Sequence, residues 1–114
     1  EMTAWVKEFR QDELGSVPLM SVGKWKRYIS KEEGGHGLVY GLGMLLPGDE
    51  FSHAHLEEEV FYVLEGHGEA IWVVDGVTYS AELKPGAAFY KTAHIYHTMK
   101  NTGSEPLVGI FCKV

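Results

Sequence analysis

The chain lacks the features that mark secreted and membrane proteins. Its 114 residues include one cysteine, Cys112, so no intramolecular disulfide can form. A single thiol fits a reducing compartment, and we expect a cytoplasmic protein. No apolar stretch approaches the roughly 20 residues that a membrane-spanning helix needs, and no signal peptide is recognisable. We therefore expect no membrane partner.

Positive charge is also scarce. Ten Lys and Arg residues stand against 16 Asp and Glu residues, which gives a formal net charge of −6. Nucleic acids and anionic lipid surfaces are polyanions, so the overall field of this chain would not attract them. We expect no nucleic-acid partner and look instead for a small-molecule substrate. The length suits one domain with its own core.

What the chain does contain is a series of short runs rich in β-branched and aromatic residues. We predict about eight or nine strands with turns between them and no long helix, the pattern of a β-sandwich or barrel. Asp75-Gly76 predicts a two-residue hairpin turn. Residues 20–30, MSVGKWKRYIS, suggest an exposed edge strand. Gly41 and Gly43 fall on one strand face, where a bulge or a close approach of another backbone would suit them.

Two histidines and three carboxylates crowd into residues 53–59. His53 and His55 are two residues apart, so on an extended strand both side chains leave the same face. Glu59 follows four residues after His55, beside Glu57 and Glu58. Imidazole nitrogens and a carboxylate aimed at one point suit a divalent transition metal and leave coordination positions open. The segment therefore predicts a metal site.

The spacing around this segment resembles that of the cupin superfamily. The first cupin motif is matched by Gly48, His53, His55, Glu59 and Gly66, and the second resembles Gly86, His97 and Asn101. The resemblance runs over roughly residues 38 to 111. It implies an all-β fold, a double-stranded β-helix or jelly-roll barrel in a single domain.

The resemblance also implies a ligand set for one divalent metal, which could be Fe, Mn, Ni or Zn. The metal ligands carried over are His53, His55, Glu59 and His97. The six residues between Glu59 and Gly66 match the motif and select Glu59, with Glu57 as the reserve ligand. Strand parity places Phe51, Phe61 and Met99 beside these ligands, so we expect the metal to sit in an apolar cup.

The resemblance divides the chain at residue 37. Residues 38–114 correspond to the cupin barrel, and residues 1–37 form an N-terminal strand and loop extension that packs on the barrel or on a partner subunit. Small cupins commonly pair, so we expect a homodimer that covers sheet edges.

Within the superfamily, three segments resemble the cupin-type dimethylsulfoniopropionate lyases: KWKRYI, GLVYGLGMLLPG and HAHLEEEVFYVLEGHG. In those enzymes a tyrosine two residues after the ligand glutamate is the base. Phe61 stands at that position here, and Tyr62 falls on the other strand face. Tyr40, Tyr96 and His94 are the remaining acid or base candidates, although the pattern favours a plain loop position for His94.

These observations leave three functions open. The first is a metal-dependent enzyme acting on a small polar metabolite, a carboxylate or sugar acid, by metal polarisation and proton abstraction, as a lyase or isomerase. The second is an iron-dependent dioxygenase. The third is a non-catalytic module that binds a sugar or organic acid.

Overall fold

A computed structural model describes residues 2–8, 10–17 and 20–114, with the side chain of Ser21 left aside. Within these residues the only helix is a short 3-10 helix, Gln11–Glu13, and ten strands account for the fold, so the predicted all-β class is confirmed. The strands are β1 Gly15–Val17, β2 Met20–Ile29, β3 Val39–Leu45, β4 Glu50–His53, β5 Glu59–Glu65, β6 Gly68–Val74, β7 Val77–Leu83, β8 Ala88–Lys91, β9 Tyr96–Asn101 and β10 Leu107–Lys113. In this part of the chain no helix is long and apolar enough to cross a bilayer.

The strands form two antiparallel sheets. The larger sheet has the order β1-β2-β3-β10-β5-β8, and the smaller has the order β4-β9-β6-β7. Buried residues of both sheets meet in one core cluster: Leu45, Phe61, Val63, Ala70, Leu83, Phe89, Met99, Leu107 and Phe111. The two sheets therefore pack face to face, as the jelly-roll prediction requires.

The N-terminal strands belong to the larger sheet. β2 pairs with β3 on one side and with the short β1 on the other, so the prediction that β2 is an edge strand is wrong. A strand of three residues carries too little pattern to be recognised in a sequence. Residues 1, 9, 18 and 19 of the predicted extension lie outside the described residues. The division of the chain at residue 37 and the homodimer stay predictions.

The predicted hairpin at Asp75-Gly76 is confirmed. Val74 and Val77 face each other at the ends of β6 and β7. Asp75 and Gly76 have φ angles of 50° and 76°, which is the positive-φ pair that a two-residue turn needs.

Three glycines of the larger sheet make room for aromatic rings from neighbouring strands. A Cβ atom at any of them would overlap a ring: Gly43 lies under Trp25, Gly41 under Phe111, and Gly109 under Phe61. Gly41 also lies against the backbone carbonyl of Lys26, so the predicted close approach at Gly41 and Gly43 is confirmed. The rings consequently lie close to the sheet, and Trp25, Phe61 and Phe111 line the space between the two sheets.

Replacing Gly43 with alanine tests this arrangement. The new methyl group would push into the Trp25 ring, which is anchored by a hydrogen bond from Nε1 to the Val22 carbonyl of 3.0 Å. We expect Gly43→Ala to lower the free energy of unfolding by about 1–3 kcal/mol in urea titrations. In a Trp25→Ala background the same change should be neutral or slightly stabilising, because alanine costs less than glycine in a strand.

Gly37→Ala is the matched control, since a Cβ there meets nothing within 4 Å. Equal losses from Gly43→Ala with and without the Trp25 ring would contradict the proposed overlap.

Candidate metal centre

Strand pairing brings three histidines together. His53 ends β4 and lies directly opposite His97 on β9, while His55 follows two residues beyond His53. One ring nitrogen from each of the three lies within 4.8 Å of the others, a spacing at which they could hold a metal ion. Three of the four predicted ligands thus converge on one point.

Backbone carbonyls fix which nitrogens are free. Nδ1 of His97 lies 2.9 Å from the Ile95 carbonyl, and Nδ1 of His55 lies 3.0 Å from the Glu57 carbonyl. A carbonyl can only accept a hydrogen bond, so each Nδ1 carries the proton and donates it. Nε2 of His55 and His97 is left with a lone pair. A histidine whose other ring nitrogen donates to a backbone carbonyl in this way is typical of metal-binding sites.

Glu59 meets the histidine group through His55. Its Oε1 lies 3.2 Å from Nε2 of His55. In neutral His55 with the proton on Nδ1, Nε2 and Oε1 are both acceptors, so a proton or a metal cation between them makes the contact favourable. Glu57 lies on the other side of the same ring, with its carboxylate 3.6 Å from Nδ1. Of the two carboxylates, only Glu59 faces the free nitrogen.

Burial favours the neutral form of two of these histidines, His53 and His97. It lowers the pKa of His97 to about 4, and the hydrogen bond to the Ile95 carbonyl opposes this shift only in part. Burial and the neighbouring His55 also lower the pKa of His53. Neutral imidazole is the form that binds metal, so the site is ready for an ion at neutral pH.

A buried lysine, which sequence reasoning missed, lies against Glu59. Lys91 stands opposite Glu59 where β8 pairs with β5, and its side chain is 1% exposed. Its Nζ lies 3.0 Å from Oε1 of Glu59 but off the direction of a hydrogen bond, and it finds no acceptor among the described residues. It also lies 4.2 Å from the centre of the Phe89 ring, a cation–π contact.

The groups around Glu59 decide its charge. Burial is the largest single influence and raises the pKa of this carboxyl group, but Lys91, His55 and Lys113 together lower the pKa below its usual value. Burial also lowers the pKa of Lys91, against the pull of Glu59. One signal in the sequence could have found this lysine: it follows the buried Phe89 by two residues, so strand parity turns it inward.

A cavity of about 600 Å³ lies between the sheets and extends to the metal site at His53. Its apolar wall is formed by Trp25, Phe51, Phe61, Met99 and Phe111, and His53 and Glu59 reach it from the metal site. The predicted apolar cup beside the ligands is therefore present. Five further charged residues line the cavity: Glu13, Lys26, Arg27, Glu33 and Lys113.

The three acid or base candidates lie elsewhere. Tyr40 is on the face of β3 that carries Leu42, away from the aromatic rings, and Tyr96 is 51% exposed at the start of β9. His94 is exposed in the preceding turn with a φ angle of 69°. Its backbone N–H donates to the His55 carbonyl at 2.8 Å and so supports the ligand loop. None of the three is among the described residues that line the cavity, and their catalytic roles stay predictions.

Solved structures of oxalate decarboxylases share this fold. The formate complex of the Lactobacillus farciminis enzyme has a TM-score of 0.77 at 19% identity over 92% of this chain. A deletion mutant of the Bacillus subtilis enzyme has a TM-score of 0.77 at 22% identity over 91%. A further Bacillus subtilis structure, described for its Mn(II) centres, has a TM-score of 0.76 at 22% identity over 91%. The chain spans about a third of the length of these proteins, 32% of the first and 28% of the other two.

No curated protein sequence matches the chain. The resemblance to dimethylsulfoniopropionate lyases stays a prediction. A family model described as the cupin domain does match, over residues 41–112, and this range includes the histidines, Glu59 and the strands that position them. The chain therefore belongs to the cupin family.

Proposed function

We propose that this protein is a metal-dependent cupin enzyme that acts on a small carboxylate or sugar acid by metal polarisation and proton abstraction, as a lyase or isomerase. The observation that carries the proposal is the convergence of nitrogens from His53, His55 and His97 within 4.8 Å at one end of an apolar cavity. A mixed nitrogen and oxygen donor set in an apolar cup is a common catalytic arrangement.

The residues that would hold the metal are the three histidines and Glu59. The donor set fits Fe, Mn, Ni or Zn, and the acceptor contact between His55 and Glu59 is favourable with a cation present. Manganese is a natural first choice for testing, because one structural neighbour is described for its Mn(II) centres. When bound, such an ion polarises a carboxylate or carbonyl oxygen and stabilises negative charge beside it.

The chain's own residues would prepare the site for that chemistry. The aromatic wall lowers the local dielectric constant beside it, which strengthens electrostatic interactions in that part of the cavity. Lys91 helps to keep Glu59 charged and fixes its position through the contact of 3.0 Å. A cavity of about 600 Å³ is the right size for a small organic acid and too small for a polymer.

A second candidate is a non-catalytic binding module for an organic acid or sugar. It is favoured by one observation, that Tyr40, Tyr96 and His94 are absent from the described cavity lining. Long incubation of candidate ligands with protein loaded with each of the four metals separates the two functions. Ligand that binds and is recovered unchanged supports the module, whereas converted ligand supports the enzyme. Oxygen consumption under air would instead indicate a dioxygenase.

Removing two ligands tests the metal site. We expect His53→Ala/His55→Ala to lose metal, from about one ion per chain to background, and to lose all turnover with it. Metal content is measured by inductively coupled plasma mass spectrometry after dialysis. The matched control is His36→Ala/His67→Ala, which removes two exposed histidines in turns and should keep both properties. Full turnover by metal-free protein would rule the proposal out.

Burial of His97 predicts a pH dependence in the metal-free protein. His97 has a pKa of about 6.5 in the unfolded chain and of about 4 in the folded protein. As pH falls from 6.5 towards 4, the unfolded state takes up a proton that the folded state does not, so stability is lost on acidification. The loss from this one residue is about 3 kcal/mol at most.

Urea unfolding of protein treated with EDTA, at pH 7 and at pH 4.5, measures this loss. His97→Gln should have a flatter profile because glutamine does not titrate. An unchanged slope in His97→Gln would assign the pH dependence to other groups.

A further inference from the structure

Three charged side chains form a row across the larger sheet. Lys113 on β10, Glu59 on β5 and Lys91 on β8 lie directly opposite one another in consecutive antiparallel pairs. Side chains in such positions project to the same face, about 5 Å apart at Cα. Each ammonium also lies near the ring two residues before it on its own strand, Lys91 at 4.2 Å from Phe89 and Lys113 at 5.9 Å from Phe111.

The two lysines differ in what surrounds them. Lys91 is buried and paired with Glu59 at 3.0 Å. Lys113 is half-buried and lines the cavity, and no carboxylate among the described residues lies within 4.0 Å of its ammonium group. Arg27 on β2 is exposed and lines the same cavity, two residues from Trp25 on the same face of the sheet, and it too has no carboxylate partner within 4.0 Å among the residues described.

The other charged residues in and beside the cavity do not cancel the positive charges of Lys113 and Arg27. Lys91 balances Glu59, and Lys7 lies 3.5 Å from Glu33. Of the other lining residues, Lys26 adds a positive charge and Glu13 a negative one. The lining itself holds three basic and three acidic residues, and the excess of positive charge comes from Lys91 and Lys7 beside it, in a chain whose net charge is −6. A positive cavity in an acidic protein attracts anions to that one place.

We propose that Lys113, assisted by Arg27, binds an anionic group of the substrate other than the one that meets the metal, so that the site takes small organic acids with two anionic groups. Dicarboxylates are the simplest members of this class. The inference rests on the proposed function, since it assumes that one carboxylate binds at the histidines. It adds the second contact and names Lys113 as the residue that determines specificity.

The preference for acids with two anionic groups follows from the desolvation of Lys113. A monocarboxylate that fills the cavity would displace water from Lys113 without offering it a partner, and an ammonium left without a partner is costly. A second carboxylate would replace that water with a charge-assisted hydrogen bond.

Calorimetric titration of protein loaded with Mn(II) tests the inference. Malonate and succinate are the probes, and acetate is the monocarboxylate reference. We expect Lys113→Gln to raise the Kd of malonate or succinate by about tenfold or more and that of acetate by less than about twofold. Arg27→Gln should have the same selective effect to a smaller extent. Lys113→Arg, which keeps the charge, should restore most of the affinity.

Lys24→Gln is the matched control, because Lys24 lies on β2 but is exposed and outside the cavity lining. Metal content is measured on every variant, so that loss of the ion is not mistaken for loss of the anion contact. Unchanged dicarboxylate affinity in Lys113→Gln, or equal losses for acetate and the dicarboxylates, would overturn the inference.

The same titrations separate this inference from the proposed function. If His53→Ala/His55→Ala abolishes anion binding while Lys113→Gln does not change it, the metal site stands and the second contact is wrong. If no metal binds but malonate affinity still depends on Lys113, the anion contact stands and the metal-dependent function fails.

Discussion

The pairing register of β5 with β10 and β8 determines which side chains face the metal site and which form the apolar wall of the cavity. Antiparallel pairing puts Glu59 between Lys113 and Lys91, and two residues further along it puts Phe61 between two buried aromatic rings. A slip of one residue would turn all of these side chains to the opposite face of the sheet. The charge of the metal site and the apolar character of the cavity wall therefore depend on the same backbone hydrogen bonds between these strands. Gly109 contributes to it by leaving room for the Phe61 ring.

Burial favours the neutral form of both kinds of ligand, which suits histidines as metal ligands but not Glu59. It makes His53 and His97 harder to protonate, so that their nitrogens remain available. It raises the pKa of Glu59, and the positive charges around this carboxyl group, with Lys91 the strongest of them, lower the pKa again. Lys91 therefore helps a carboxylate to share a desolvated site with imidazoles. The fold itself is compatible with many reactions, so the chemistry has to be argued from these side chains and not from the likeness to oxalate decarboxylases.

The histidine group was predictable because its signals are local. The two-residue spacing of His53 and His55 fixes their common face, and the family spacing points to His97. The lysines were missed because only strand pairing places them beside Glu59, over separations of 32 residues for Lys91 and 54 for Lys113. Strand parity could also have ruled Tyr96 out of the cavity, since it adjoins His97 and must point away from it. Topology, more than residue type, was the missing information.

The glycines under the aromatic rings also constrain how this cavity can change over generations. At each of these positions the ring fills the space that a Cβ atom would need, so the glycine cannot be enlarged while the ring is present. A larger residue in place of Gly43 becomes acceptable only after Trp25 has been replaced by something smaller. Sequence change at these positions would proceed in pairs, with the ring replaced first and the glycine second. The shape of the cavity wall thus depends on pairs of residues on neighbouring strands, and a library that randomises a glycine together with its ring would reach shapes that single replacements of the glycine cannot.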